Sequence, residues 1–263
     1  MRIIPADNLA YPVFITWDNG SSGSGFRLMN AGTTYLITAK HVLFDEGNRP
    51  KGKTLHLLCQ TADINDDTSY HFKIDIDKLE DGGNLFYHPQ YDVAGFVESY
   101  NKIKADGTFT IDVVDGVQIV QKGNSKLISA ASQSISFINE VLISNDVYVY
   151  GYPSSLGLRQ SPQFDYTKPL LRKGIIANIH KASGTIILDC PVYYGNSGGP
   201  VVQVEPDGFA FHHRVIGVVS QFIPYTENWK NLSNGLTHTE ISNSGYSVAV
   251  AMDYVFEMLG ISR

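Results

Sequence analysis

Short apolar and β-branched runs recur along this chain between turn signals, and this rhythm constrains its fold more than any other feature. We count about fifteen such runs, among them YPVFITW, VYVYGY and YSVAVA. Only 252–259, MDYVFEML, has the periodicity of an amphipathic helix, and Gly260 follows it as a stop signal. The sequence therefore predicts an all-β protein with one short helix close to its end.

Many short strands without alternating helices are typical of sandwiches and barrels, and closing a sheet into a barrel removes its exposed edges. Two six-stranded antiparallel Greek-key barrels fit a length of 263 residues. We predict an N-terminal barrel over residues 1–120 and a C-terminal barrel over 121–263, closed by the helix. The stretches 101–110, 122–134 and 225–244 lack periodicity and are predicted to be loops, the first two containing the crossing between the halves.

Charge and composition exclude several classes of function. The net charge is −6 and basic residues form no run, so the sequence predicts no nucleic-acid partner. No apolar stretch approaches the length of a membrane span, and the first residues are too interrupted for a signal peptide, which indicates a soluble cytoplasmic protein. Cys59 and Cys190 lie far apart in apolar runs, and we expect buried free thiols with no metal site and no cofactor.

The hexapeptide GNSGGP, residues 195–200, is the most specific segment of the chain. A serine among glycines suits a nucleophile whose backbone must turn sharply and let amide groups approach a carbonyl. Taken alone, it is equally explained by a glycine-rich hairpin turn. It also matches the nucleophile elbow of α/β-hydrolases, but Pro200 and the strand-like run after it contradict that context, and too few residues follow Ser197.

Two upstream segments supply partners for this serine. His41 lies in TAKHV directly after the apolar run TTYLI, and Asp92 lies in YDVAGF at the start of another strand. Together, the three segments resemble the signatures of the trypsin-like (chymotrypsin-fold) serine peptidases. The run VIGVVS at 215–220 and the final strand and helix resemble the same family. GSGF, YGYP, RKGII and GNSGGPVV are closest to the bacterial HtrA/Deg branch, although no PDZ domain follows in the sequence.

The resemblance implies a catalytic triad. Ser197 would attack the scissile carbonyl, His41 would accept and return the proton, and Asp92 would orient the imidazole. The amides of Gly195 and Ser197 would form the oxyanion hole. Ser220 is expected either to donate a hydrogen bond to Asp92 or to be an ordinary serine of the cleft strand. Other acids lie between His41 and Ser197, but none precedes an apolar strand in the same way; they are Asp63, Asp66, Asp67, Asp75 and Asp77.

Activation and specificity follow from single positions. Digestive members of the family carry an aspartate before the nucleophile, which pairs with a new N-terminal amine, but this chain has Asn196. We therefore expect a site that is either constitutively active or ordered by a partner protein, an oligomer or the substrate.

The residues around the nucleophile also indicate substrate preference. Pro191 occupies the position at which trypsin-like enzymes that cleave after Lys or Arg carry an acidic residue. The predicted pocket favours a small or apolar side chain and is lined by Pro191, Tyr193, Tyr194, Ser220, Phe222, Gly245 and Ser247.

The functional hypothesis is a serine endopeptidase that hydrolyses protein or peptide substrates through an acyl-enzyme. The alternative is a peptidase-fold module that binds peptides as a scaffold with little or no turnover. The remaining histidines lack a site context, and we expect them to be structural or solvated; they are His56, His71, His88, His180, His212, His213 and His238.

Overall fold

The structure, a computed structural model, describes residues 4–63, 65–103, 109–154, 162–208, 210–231 and 233–263. The described residues form two β-sheets and three α-helices. This is the predicted all-β architecture of two barrel-like halves with a short helix at the end, which is confirmed. None of the helices in these ranges is long and apolar enough to cross a membrane.

The first half is a curled sheet of ten strands, whose hydrogen-bonded path does not close into a ring. The order along that path is β6-β7-β3-β2-β1-β4-β5-β9, with β8 beside β7 and β10 parallel to β2. The strands are β1 (Pro12–Trp17), β2 (Ser22–Asn30), β3 (Thr33–Thr38), β4 (Thr54–Gln60), β5 (Ser69–Asp75), β6 (Leu85–Tyr87), β7 (Ala94–Ile103), β8 (Phe109–Val113), β9 (Val117–Gln121) and β10 (Ala130–Ala131). Two short helices, α1 (Lys40–Leu43) and α2 (Ile76–Asp81), follow β3 and β5.

The second half is a closed barrel of six antiparallel strands in the order β11-β12-β13-β16-β15-β14. These strands are β11 (Asp146–Gly151), β12 (Leu170–His180), β13 (Thr185–Asp189), β14 (Pro200–Asp207), β15 (Ala210–Lys230) and β16 (Thr237–Ala251). The helix α3 (Met252–Leu259) occupies the predicted residues and ends at Gly260, whose φ is +64°. The predicted division of the chain between residues 120 and 121 stays a prediction.

One predicted loop is instead regular structure. Over 225–244 we expected a loop, but β15 and β16 continue through it and pair from Pro224↔Asn243 to Lys230↔Thr237. We call this two-stranded extension the arm. Most of its side chains face water on both sides of the ribbon, so its sequence has no apolar alternation from which a strand could be predicted.

The hydrophobic core consists of three apolar clusters. One fills the first sheet, one fills the closed barrel, and the third lies between them and includes residues of α3 such as Val255 and Phe256. Cys59 and Cys190 are buried free thiols, as predicted. Because strands of both halves contribute to the middle cluster, the two sheets meet along a packed interface, and the candidate site lies at its edge.

Candidate active site between the two halves

The helix α1 positions His41 at the end of β3. Val42 and Leu43 are buried, and the indole of Trp17 donates to the carbonyl oxygen of Val42 at 2.9 Å, so the short helix is fixed to the first sheet. The side chain of His41 remains half exposed, at 50% of its free area. The backbone of His41 is therefore fixed to the first sheet, while its imidazole ring is exposed in the cleft.

Asp92 lies on a tight loop between β6 and β7, and His88 organises this loop. The imidazole Nδ1 of buried His88 accepts hydrogen bonds from the amides of Gln90 and Tyr91, both at 3.1 Å, and the amide of His88 donates to Val93. The sequence around His88 contains no motif that indicates a functional site. The only signal was its position four residues before Asp92.

His41 and Asp92 are joined by two hydrogen bonds. The ring Nδ1 of His41 lies 2.8 Å from Asp92 Oδ2, and the amide of His41 donates to Oδ1 at 3.0 Å. The Ser220 hydroxyl also donates to Oδ2, at 2.5 Å. Burial alone would raise the pKa of Asp92, but the hydrogen bonds and charge of His41 and the bond from Ser220 outweigh it and leave the pKa lowered.

An ionised Asp92 fixes the tautomer of its neighbour. A carboxylate can only accept, so Nδ1 of His41 carries the hydrogen and Nε2 is left as the proton acceptor. Nε2 points away from Asp92 because the two ring nitrogens lie on opposite sides of the imidazole. The pair therefore presents a basic nitrogen to the cleft.

The loop that carries Ser197 turns through glycines that no other residue can replace. Gly195 and Gly198 have φ of +99° and +88°. A Cβ on Gly198 would overlap the Ser24 carbonyl and the Thr38 hydroxyl of the first sheet. Asn196 closes the turn, since its side chain accepts from the amide of Tyr193 at 3.0 Å and its own amide donates to the Tyr193 carbonyl.

Two amide groups of this loop are available to a ligand. Within the described ranges, the N–H groups of Gly195 and Ser197 have no hydrogen-bond acceptor. The Ser197 hydroxyl donates to the carbonyl oxygen of Ser220 at 3.1 Å, and not to His41. The cleft holds a hydroxyl and an imidazole, and the loop that carries the hydroxyl has two amide donors without a described acceptor. These are the components needed for nucleophilic attack on a carbonyl carbon.

The cleft that joins these groups has a volume of about 810 Å³ and is lined by residues of both halves. His41, Asp92 and Ser197 line it, and so do four of the predicted pocket residues: Tyr193, Tyr194, Ser220 and Phe222. The Tyr194 and Phe222 rings meet edge to face, with centroids 5.6 Å apart, and both line the cleft together with Ser220.

Three predicted pocket residues do not line this cleft. Ser247 is fully buried, and its hydroxyl donates to the carbonyl of Cys190 at 2.9 Å, so it faces the barrel wall. Pro191 and Gly245 are not among the residues that line the cleft, and the amide of Gly245 donates to the side chain of Asn243. Asp189 ends β13, as expected of a strand-end residue.

The cleft continues into an open strand edge. β14 pairs with β15 only as far as Pro200↔Val218, and from Ser220 onward β15 has β16 on one side and no described strand on the other. The unpaired backbone groups of Ser220–Phe222 therefore face the cleft. An extended peptide can add to such an edge as a further strand.

Comparison with known families agrees with this geometry. Residues 23–209 match the model of the trypsin-like peptidase domain. The chain belongs to the trypsin-like peptidase family. No curated protein matches its sequence. Among the residues that the structure describes, no group of three or more His, Cys, Asp or Glu residues is arranged to hold a metal ion.

Solved structures share the fold at low identity. A serine endoprotease of Yersinia pestis is 16% identical with a TM-score of 0.52, over 99% of this chain and 66% of its own. The HtrA-type protease AlgW, solved as a variant with a tripeptide, is 15% identical with a TM-score of 0.50, over 99% of this chain and 63% of its own. The chain thus spans less than two thirds of the length of these two proteases.

Proposed function

We propose that this trypsin-like family member is a serine endopeptidase that cleaves protein or peptide substrates through an acyl-enzyme. The observation that carries the proposal is that the hydrogen-bonded His41–Asp92 pair lines the same cleft as Ser197. Ser197 is the nucleophile, His41 the general base and then the general acid, and Asp92 the group that orients and stabilises the imidazolium.

Substrate binding completes the catalytic arrangement. A peptide that adds to β15 places an amide N–H against the Ser220 carbonyl, which is the acceptor that now holds the Ser197 hydroxyl. Displaced from this carbonyl, the hydroxyl turns about its Cα–Cβ bond to another staggered rotamer and donates to Nε2 of His41. Catalytic hydrogen bonds commonly form only in the substrate complex.

Attack on the scissile carbonyl forms a bond from Ser197 Oγ to the carbonyl carbon, and the hydroxyl proton passes to Nε2. The resulting oxyanion accepts hydrogen bonds from the amides of Gly195 and Ser197, and it collapses as His41 gives the proton to the leaving amine. Water repeats the sequence to release the acid. The aromatic rings of Tyr194 and Phe222 line the cleft together with Ser220, so we propose a small or apolar residue before the cleaved bond.

The test is an unbiased peptide library digested by the protein and by its Ser197→Ala variant, together with labelling by a fluorophosphonate probe. We expect the protein to be labelled and to cleave after small or apolar residues, and the variant to do neither. Cleavage that survives Ser197→Ala would assign the chemistry elsewhere. Binding of peptides without cleavage or labelling would instead identify the scaffold function.

A further inference from the structure

Ser24, on β2 of the first sheet, is fully buried against the nucleophile loop of the second half. Its hydroxyl donates to the carbonyl of Gly195 at 2.6 Å and accepts from the amide of Tyr152 at 2.9 Å. Its own amide donates to the carbonyl of Ser197 at 2.8 Å. One residue of the first sheet therefore binds the carbonyls of both residues whose amides have no described acceptor.

The carbonyl contacts restrain the direction of those amides. A peptide group is planar, so holding the carbonyl oxygen of Gly195 fixes the plane that joins it to Asn196, and holding that of Ser197 fixes the plane that leads into Gly198. The Ser197 amide belongs to the peptide plane between these two, and the Gly195 amide belongs to the plane directly before the first, so each adjoins a plane that Ser24 holds. Because glycine backbone dihedrals are otherwise free, Gly195 depends on such outside contacts for its orientation.

Ser24 is itself held rigidly. The Thr38 hydroxyl, at the end of β3 and three residues before His41, donates to the Ser24 carbonyl at 2.6 Å. A side chain at Gly198 or Gly151 would collide with this cluster, so the backbones approach as closely as they can. The hydroxyl, amide and carbonyl of Ser24 all have hydrogen-bond partners. A buried polar network with every group paired is rigid, so Ser24 can fix the position of the groups it binds.

We propose that Ser24 is a positioning residue that holds the oxyanion-binding loop in its active form from the opposite half of the molecule. The inference rests on the proposed function. It also assigns how the loop is ordered in a chain with Asn196 before the nucleophile. Asn196 closes the turn from within, and Ser24 fixes it from outside, without a charged amine.

The test compares Ser24→Ala with the unchanged protein on a peptide substrate and on a peptide boronate, which mimics the tetrahedral state. Losing one oxyanion donor lowers the rate about 10²- to 10³-fold, and misplacing the donors should cost part of that. We expect kcat to fall about 10- to 100-fold, KM to change less than about threefold, and boronate affinity to fall in parallel with kcat.

The matched control is Ser69→Ala, which removes a partly buried serine hydroxyl that pairs with His71 in the same sheet, on β5. It should leave kcat and boronate affinity unchanged. A second pair, Ser24→Thr and Ser24→Val, adds the same volume with and without the hydroxyl, and only Ser24→Thr should retain turnover. This pair also decides the matter if Ser24→Ala fails to fold.

The outcomes separate the two proposals. If the unchanged protein cleaves peptides and Ser24→Ala keeps both kcat and boronate affinity within about twofold, Ser24 has no positioning role. Equal turnover of Ser24→Thr and Ser24→Val has the same meaning. If the unchanged protein neither cleaves peptides nor reacts with fluorophosphonate, the proposed function fails, and the role of Ser24 fails with it.

Discussion

Tyr254 on α3 stacks against Tyr91, the residue before Asp92, with ring centroids 3.5 Å apart. His88 contacts both rings edge-on, and its Nε2 lies 3.4 Å from Glu257 Oε1 on the same helix. The last helix of the chain therefore supports the loop that carries the acid of the candidate triad.

The first prediction concerns Gly184→Ala. Gly184 has φ of +62°, and a Cβ there would overlap the Tyr254 ring, so the variant must move the ring as well as strain the backbone. Gly260→Ala is the control, since φ is +64° but nothing lies within 4 Å of its Cβ. Strain alone costs about 1–2 kcal/mol. Urea unfolding should show a larger loss for Gly184→Ala, with kcat/KM reduced only there; equal losses would contradict the Tyr254 contact.

Asp92→Asn should lower kcat about 10⁴-fold while the protein remains folded. An asparagine amide can donate to Nδ1 of His41, which would place the imidazole hydrogen on Nε2 and remove the base. Steady-state kinetics and circular dichroism measure the two effects. Asp77→Asn, which removes a surface partner of Lys53, should retain activity. Full activity of Asp92→Asn would move the role to another acid.

The buried pair Arg27–Glu98 predicts an asymmetric effect on stability. Arg27 Nε lies 2.9 Å from both Glu98 oxygens, and both residues are buried in the first sheet. Removing one partner of a buried ion pair costs about 3–5 kcal/mol, whereas replacing both by apolar residues costs much less. Glu98→Gln should therefore be less stable in urea than the double variant Arg27→Met with Glu98→Leu. If the double variant were the less stable of the two, the buried charge of Arg27 left without a partner would not be the main cost of Glu98→Gln.

Asp66 should make the protein acid-sensitive. Its carboxylate accepts from Thr68, Thr61 and Ser125, and these bonds lower its pKa to about 2 from an ordinary 3.8. The folded state then binds fewer protons than the unfolded chain, so this stabilisation is complete above pH 3.8 and is lost as the pH falls to about 2. In urea titrations Asp66→Asn should be less stable at neutral pH, and the difference should vanish near pH 2. A difference independent of pH would contradict this.

The two thiols should be inert while the protein is folded. Burial raises the pKa of both Cys59 and Cys190 to about 11, and thiolate is the reactive form. Iodoacetamide should label neither cysteine at neutral pH and both in urea, as read by mass spectrometry. Rapid labelling of either cysteine in the folded protein would show that its site opens locally.

The sequence predicted the all-β fold, the helix 252–259 and the residues that the cleft brings together, because strand periodicity and the GNSGGP segment are local signals. It could not predict the arm, whose strands lack a buried face. Ser24 and His88 were also missed, since their roles depend on contacts with residues distant in the chain. The burial of Ser247 depends in the same way on its contact with the carbonyl of Cys190, which is 57 residues away in the chain.

The open edge of β15 has a consequence for solubility. A long unpaired strand is a template on which other copies can aggregate, yet the proposed binding of a peptide substrate needs this edge uncovered. Along the arm, Pro224 offers no N–H, and Glu227 and Lys230 add charge, which are the usual protections of an exposed edge. Ser220–Phe222 has no such protection. A peptide and a second copy of the protein would therefore compete for the same edge at these residues.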